Sequence, residues 1–262
     1  MNPSLARGYA TQFIQRCPST SDYYTFRDHG IRNLLVEFSA SFFTKISQRA
    51  IKRMKRHKGP FQRLHMLEWR KAQKSAYLDA YFGAEAADIY SFSGSQDPIF
   101  QERLILNLFV LLEANSEGVK MIADCRGGIS HHAITRMLER NAVDPSGLIK
   151  AVDTLFNDLV ALQNAMQEAF AGDRRQYGLL VPFKEGAVPV CFVGVNATMG
   201  LESGKDEILM ARTYLAPEML SAEQRERMAG FKAPSDPTST EGEWIAWLKK
   251  NARPFEFGKE PA

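Results

Sequence analysis

The chain has 262 residues, is 45% hydrophobic and 24% charged, and carries a net charge of +3. That length and apolar fraction suffice for one large core or two modest ones and exclude a chain disordered throughout. Its three cysteines, Cys17, Cys125 and Cys191, lie far apart and show no CxxC spacing. This excludes a disulfide scaffold or a cysteine zinc site and fits a reducing, cytoplasmic compartment.

The stretch MNPSLARGYATQFIQRC has no apolar core of signal-peptide length. Residues 1 to about 30 read as irregular, with Pro3 and Pro18 as breaks. Leu34, Leu35, Phe38, Phe42, Phe43 and Ile46 recur at steps of three and four and predict a helix over 31–54. Gly59-Pro60 ends it, and a second helical run is expected from Phe61 to about Phe82. Asp97-Pro98 is a helix start, and the nearly all-apolar run to Ala114 predicts a central core helix. Its longest apolar stretch, Leu104–Leu112, is interrupted by Asn107 and is too short to cross a bilayer, so no membrane role is expected.

Gly118–Asp124 reads as a short strand and Gly127-Gly128 as a turn. Ser130 caps a helix to Arg140, where Asn141 suits a left-handed stop. Asp144-Pro145 opens a further helix to Phe170. The period then changes from helical steps to alternation. Tyr177–Phe183, Val188–Val195 and Ile208–Tyr214 are predicted strands, the first two joined by Lys184-Glu185-Gly186 as a hairpin. Ser221 with Gln224, and Thr240 with Glu243, have the spacing of capping boxes on short helices. Trp244 and Trp247 on the second are expected to anchor it to the body. The predicted fold class is α+β, a helical N-terminal region packed with a small antiparallel sheet and flanking helices. The expected organisation is a helical region over 1–120, an α+β region over 121–231, and a linker with a short helix over 232–262. The first two regions can share one core, because the 98–114 helix has to be covered.

Charge is unevenly distributed. Between Lys45 and Lys74 there are eleven Lys or Arg and one acid, Glu68, a net +10 in thirty residues; the rest of the chain is therefore +3 − 10 = −7. Such asymmetry marks a polyanion-binding surface. The candidate nucleic-acid contacts are Lys45, Arg49, Lys52, Arg53, Lys55, Arg56, Lys58, Arg63 and Arg70. Trp69, together with Phe61 and Tyr77, is placed to stack on bases. The same stripe would also suit an acidic protein partner.

The segment GGISHHAITRMLERN, residues 127–141, carries the sharpest pattern. His132, Arg136 and Arg140 are spaced by four and four and so form one row along a helix. Two fixed cations beside a histidine suit a phosphodiester: arginines hold non-bridging oxygens, and a histidine moves a proton at neutral pH. Their charge, and the helix N-terminus, should favour neutral imidazole. The structural alternative pairs Arg136 and Arg140 with acids such as Asp144 and Asp153. His131 and His132 diverge on the helix, so no metal site is predicted, and no other cofactor is implied. GxxxxGK[ST] is absent, and no Ser or Cys stands in a nucleophile-elbow context.

Over residues 127–216 the chain resembles the BrnT-like and RelE-like bacterial toxin ribonucleases. The shared element is a Ser-x-His-Ala-x-x-Arg-x-x-x-Arg helix, here Ser130, His132, Ala133, Arg136 and Arg140. The resemblance implies metal-independent RNA cleavage assisted by His132 and stabilised by Arg136 and Arg140. It also implies a polar residue from the last strand, Thr213, with Arg212 or Tyr214 as alternatives. Two function classes follow. One is a toxin-like ribonuclease. The other is a nonenzymatic DNA- or RNA-binding or protein-interaction protein of a bacterial mobile element or phage, with RNA ahead of DNA.

Overall fold

The computed structural model describes residues 1–17, 64–70, 75–90, 98–115, 118–170, 177–196 and 206–254. The chain is α+β. Helix α1 (Pro3–Gln15) is followed by strands β1 (Leu64–Arg70), β2 (Ser75–Tyr90), β3 (Pro98–Asn115) and β4 (Gly118–Ser130). Helices α2 (His131–Glu139) and α3 (Leu148–Phe170) then lead to β5 (Tyr177–Phe183), β6 (Gly186–Asn196) and β7 (Asp206–Ala211). Helices α4 (Ala222–Met228) and α5 (Glu241–Asn251) and the short β8 (Arg253–Pro254) complete the described chain.

All eight strands belong to one sheet, in the order β1-β2-β3-β4-β7-β6-β5-β8. The far end of β2 also pairs with β6, at Asp88↔Asn196 to Tyr90↔Gly194, so β2-β3-β4-β7-β6 closes into a circuit. Pairing is antiparallel except between β4 and β7, which touch in parallel at Gly128↔Met210 and Ile129↔Ala211. A parallel neighbour needs a long crossover, and α2, α3 and the β5–β6 hairpin supply it.

Several expectations are corrected here. The described residues of the predicted helices over 61–82 and 98–114 form β1, β2 and β3 instead, so the N-terminal region contributes strands and the sheet is mixed and large. Pairing of β3 with β4, and of β2 with β6, places strands from both sides of residue 120 in one sheet, in keeping with a core that the two regions can share. The supposedly irregular N-terminus is helical over Pro3–Gln15, with the Asn2 side chain accepting from the Ser4 amide and Pro3 at the first helical position. Gly127-Gly128 belongs to β4, with Gly127 at φ 80°. The helix predicted over 31–54 lies outside the described residues.

The remaining elements follow the expected local chemistry. Lys184 turns the β5–β6 hairpin at φ 55°. Both capping boxes are present, Ser221 with Gln224 and Thr240 with Glu243. Asp144 precedes α3, its Oδ1 accepting from the Ser146 and Gly147 amides at 2.8 and 2.9 Å. The Ser146 hydroxyl, then the Gly147 amide, hold its carboxyl below the usual range.

The core lies between the helices and the sheet. Leu155, Phe156, Leu159 and Leu162 of α3 are fully buried with Val181, Val188, Phe192 and Leu209 of the strands. Each such side chain contributes about 1.5–3 kcal/mol on leaving water. Ala6, Ala10 and Ile14 present the small face of α1 to Ile134, Met137 and Leu138 of α2. Trp247 and Leu248 join the same core, and the Phe231 and Trp247 rings meet at 4.7 Å. The segment 232–239, expected as a linker, is tied down: buried Asp158 on α3 accepts from the Ser235 amide at 2.8 Å. Withdrawal from water pushes that carboxyl up, opposed by the bonds from Ser235. Among the described residues no helix is long and apolar enough to cross a membrane.

Candidate functional site

Helix α2 stands on the sheet with an apolar side and a polar side. Ala133, Ile134, Met137 and Leu138 are buried, as their three- and four-residue spacing requires. Ser130 caps the first turn, its Oγ accepting from the Ala133 amide at 3.0 Å. The same hydroxyl donates to the Arg212 carbonyl at 2.8 Å, joining the end of β7 to the start of the helix. At the other end Asn141 adopts φ 55° and stops it. The Met1 amine donates to the Glu139 carbonyl at 2.9 Å and to Asn141 Oδ1 at 2.8 Å.

The structure brings His132, Arg136 and Arg140 together on the polar side. His132 is exposed, and Arg136 Nε approaches its Nε2 at 3.5 Å as donor. Partial withdrawal from water is the largest influence lowering the His132 pKa. Arg136 and Arg140 push the same way, and Glu139 opposes them. Both effects favour the neutral imidazole, the cations acting in the expected direction but after withdrawal from water.

Each arginine already has a partner. Arg136 Nη1 meets Glu139 Oε2 at 2.5 Å, with the arginine side chain 36% exposed. An ion pair this open contributes about 0–1 kcal/mol, so an incoming phosphate can compete with it. Arg140 Nη1 donates to the Tyr214 carbonyl. Burial lowers the Arg140 pKa first, and Arg136 adds to this, while Glu139 and Glu218 oppose. Neither arginine pairs with Asp144 or Asp153, the acids the sequence put forward. Glu139 was missed, although its three-residue spacing from Arg136 is the signal for such a pair.

Residues 212–214 therefore run beside α2, held at Arg212 by its cap and at Tyr214 by Arg140. Thr213 lies between these ties and is half-buried. The neighbouring His131 belongs to a different contact, its Nε2 standing 3.1 Å from Thr11 Oγ1 of α1. Among the described residues no group of His, Cys, Asp or Glu is arranged to hold a metal ion.

Of the basic stretch, Lys45, Arg49, Lys52, Arg53, Lys55, Arg56, Lys58 and Arg63 lie outside the described residues. Trp69 and Arg70 fall on β1, opposite Ala76 and Ser75 of β2, at the end of the strand order. Trp69 and Arg70 thus stand on a different element from the His132–Arg136–Arg140 row. The chain matches no family profile, and no significant match was found among curated proteins or solved structures.

Proposed function

We propose that this protein binds nucleic acid, RNA ahead of DNA, in a reducing cytoplasm. The observation that carries this reading is the concentration of eleven cations against one acid between Lys45 and Lys74 in a chain whose remainder is near −7. A polyphosphate releases condensed counterions when it meets such a surface, and that release is the driving force. The row on α2 supports a phosphate contact of its own: an open guanidinium at Arg136 beside a neutral imidazole at His132. Arg140 serves chiefly to fix Tyr214.

The expected result is a steep salt dependence. For a labelled single-stranded RNA, log K should fall against log salt with a slope of roughly −0.7 for each phosphate neutralised. Replacing Lys52, Arg53, Lys55 and Arg56 by Gln should flatten the slope by about 3, if each holds one phosphate. A wild-type slope near zero would defeat the reading. Binding displaced by an acidic protein but indifferent to RNA would move the stripe to the protein-partner class.

A metal-independent ribonuclease is the second reading, favoured by the neutral state of His132 beside two cations. A general base at this position contributes about 10²–10⁴ in rate. Accepting the 2′-hydroxyl proton at Nε2 requires Arg136 to swing from the histidine to the phosphate. RNA cleavage that persists with chelator and drops at least about 100-fold in His132→Ala and Arg136→Ala is the expected outcome. Equal trace cleavage in all three proteins removes catalysis and leaves binding.

A further inference from the structure

We propose that the outer face of α1 is a platform for single-stranded nucleic acid, on which the Tyr9 ring stacks against an unpaired base and Arg16 holds a phosphate further along the strand. The inference rests on the nucleic-acid reading and narrows its ligand to a strand whose bases are free.

Leu5, Gly8, Tyr9, Gln12 and Arg16 are spaced by three, one, three and four, so they form one row along the helix. All five are exposed, and Ala6, Ala10 and Ile14 are buried behind them. A helix row that faces water is ordinarily polar. Here Leu5 is 53% exposed and Tyr9 38%, one turn apart. Gly8 beside them is open, since a β-carbon there would meet nothing within 4 Å. Glycine weakens a helix interior relative to alanine, and its surroundings give no steric reason for it. What it provides is bare backbone beside the ring, on which a flat ligand can lie close.

The charge of this face selects the occupant. Residues 1–17 contain Arg7 and Arg16 and no Asp or Glu, whereas the chain outside Lys45–Lys74 is near −7. Arg7 is exposed as well, and among the described residues no ion pair or side-chain hydrogen bond engages Arg7, Tyr9 or Arg16. A second copy would set those arginines against their own images, and the chain's own Lys45–Lys74 segment has the same sign. A ligand with flat apolar faces and regularly spaced negative charges matches both parts of the row, and single-stranded nucleic acid has that combination. A duplex lacks it, because its bases already stack on one another. Arg16 stands about 10 Å beyond Tyr9 at the rise of an α-helix, so ring and guanidinium address different nucleotides. The platform is held firmly: the Asn2 side chain caps its first turn, and Thr11 Oγ1 stands 3.1 Å from His131 Nε2 of α2.

Binding of the full chain to a labelled oligouridine, beside a duplex RNA of equal length, tests this. Tyr9→Ala should weaken the single-strand complex at least about fivefold, the lower end for one stacked base, and leave the duplex complex unchanged. Tyr9→Phe keeps the ring and should bind as the wild type does. Arg16→Gln should flatten the single-strand salt slope by about 0.7, the share of one phosphate. Gly8→Ala guards against misfolding: its methyl favours the helix, so weaker single-strand binding by that variant does not come from a damaged α1. Wild-type affinity in both Tyr9→Ala and Gly8→Ala overturns the inference and leaves the nucleic-acid reading standing. An equal loss on single strand and duplex overturns it too, since Tyr9 is then not stacking on an unpaired base. Absence of RNA binding by the wild type overturns the nucleic-acid reading and the inference together.

Discussion

Gly186→Ala is expected to cost about 3 kcal/mol, the upper part of the range for an unwanted methylene in a packed interior. Gly186 opens β6 directly after the hairpin turn, and its φ is not left-handed, so backbone strain plays no part. The obstacle is what crosses above it. A β-carbon there would meet the Leu215 carbonyl oxygen and the Tyr214 phenol closer than real atoms approach. The carbonyl cannot retreat, because Ala187 and Leu215 exchange backbone hydrogen bonds at 2.9 and 2.8 Å. Pushing residues 214–215 away also moves the carbonyl that Arg140 holds, so α2 should loosen with the hairpin. Chemical denaturation checks the size of the loss. Gly242→Ala is the control, since a β-carbon at Gly242 meets nothing within 4 Å, and it should be neutral or slightly stabilising. A Gly186→Ala protein as stable as that control would mean that Tyr214 and Leu215 do not cross the hairpin here.

What the sequence disclosed was local. Ser130, the apolar steps of Ala133, Ile134, Met137 and Leu138, and the stop at Asn141 define α2, and each determinant lies within a turn of its partner. The capping boxes and the Lys184 turn are legible for the same reason. Asn2 followed by Pro3 is likewise a helix start, a capping side chain ahead of a preset φ; counting Pro3 as a break concealed it. The run PIFQERLILNLFVLLEAN is a different case. A segment apolar on every side has no period to read, and its 18 residues suit a helix better than an average strand. Its pairing with β2 on one side and β4 on the other supplies what decides it. The site divides in the same way. The His132–Arg136–Arg140 row follows from helical spacing, whereas the Arg140 bond to Tyr214 joins positions 74 residues apart. Nothing near either residue announces that contact.

Gln163 is a second long-range determinant, and Gln163→Leu should destabilise by about 3 kcal/mol through two stranded amides at about 1–3 kcal/mol each. The reason lies in the shortness of the parallel seam. β4 and β7 pair at two positions at the end of β7, and the preceding Asp206–Leu209 of β7 has no β4 partner. The buried Gln163 side chain of α3 takes the place of the missing ladder. Its Oε1 accepts from the Gly127 amide at 3.2 Å and the Leu209 amide at 3.0 Å, and its Nε2 donates to the Glu207 carbonyl at 3.4 Å. Leucine has a similar volume but no acceptor, so packing is nearly preserved while both donors lose their partner. Gln163→Glu keeps the acceptor and loses the donor to Glu207, at the added cost of a buried carboxylate. Both replacements should therefore weaken the seam, by different routes. Amide hydrogen exchange distinguishes this from a general loss of stability: in Gln163→Leu, Gly127 and Leu209 should exchange faster than the α3 backbone around them. Unchanged protection at those two amides would show that the side chain does not complete the sheet. The seam also carries Gly128 and Ile129, the last residues before Ser130 and α2. The position of His132 over the strand end therefore depends on an amide side chain more than thirty residues further along the chain.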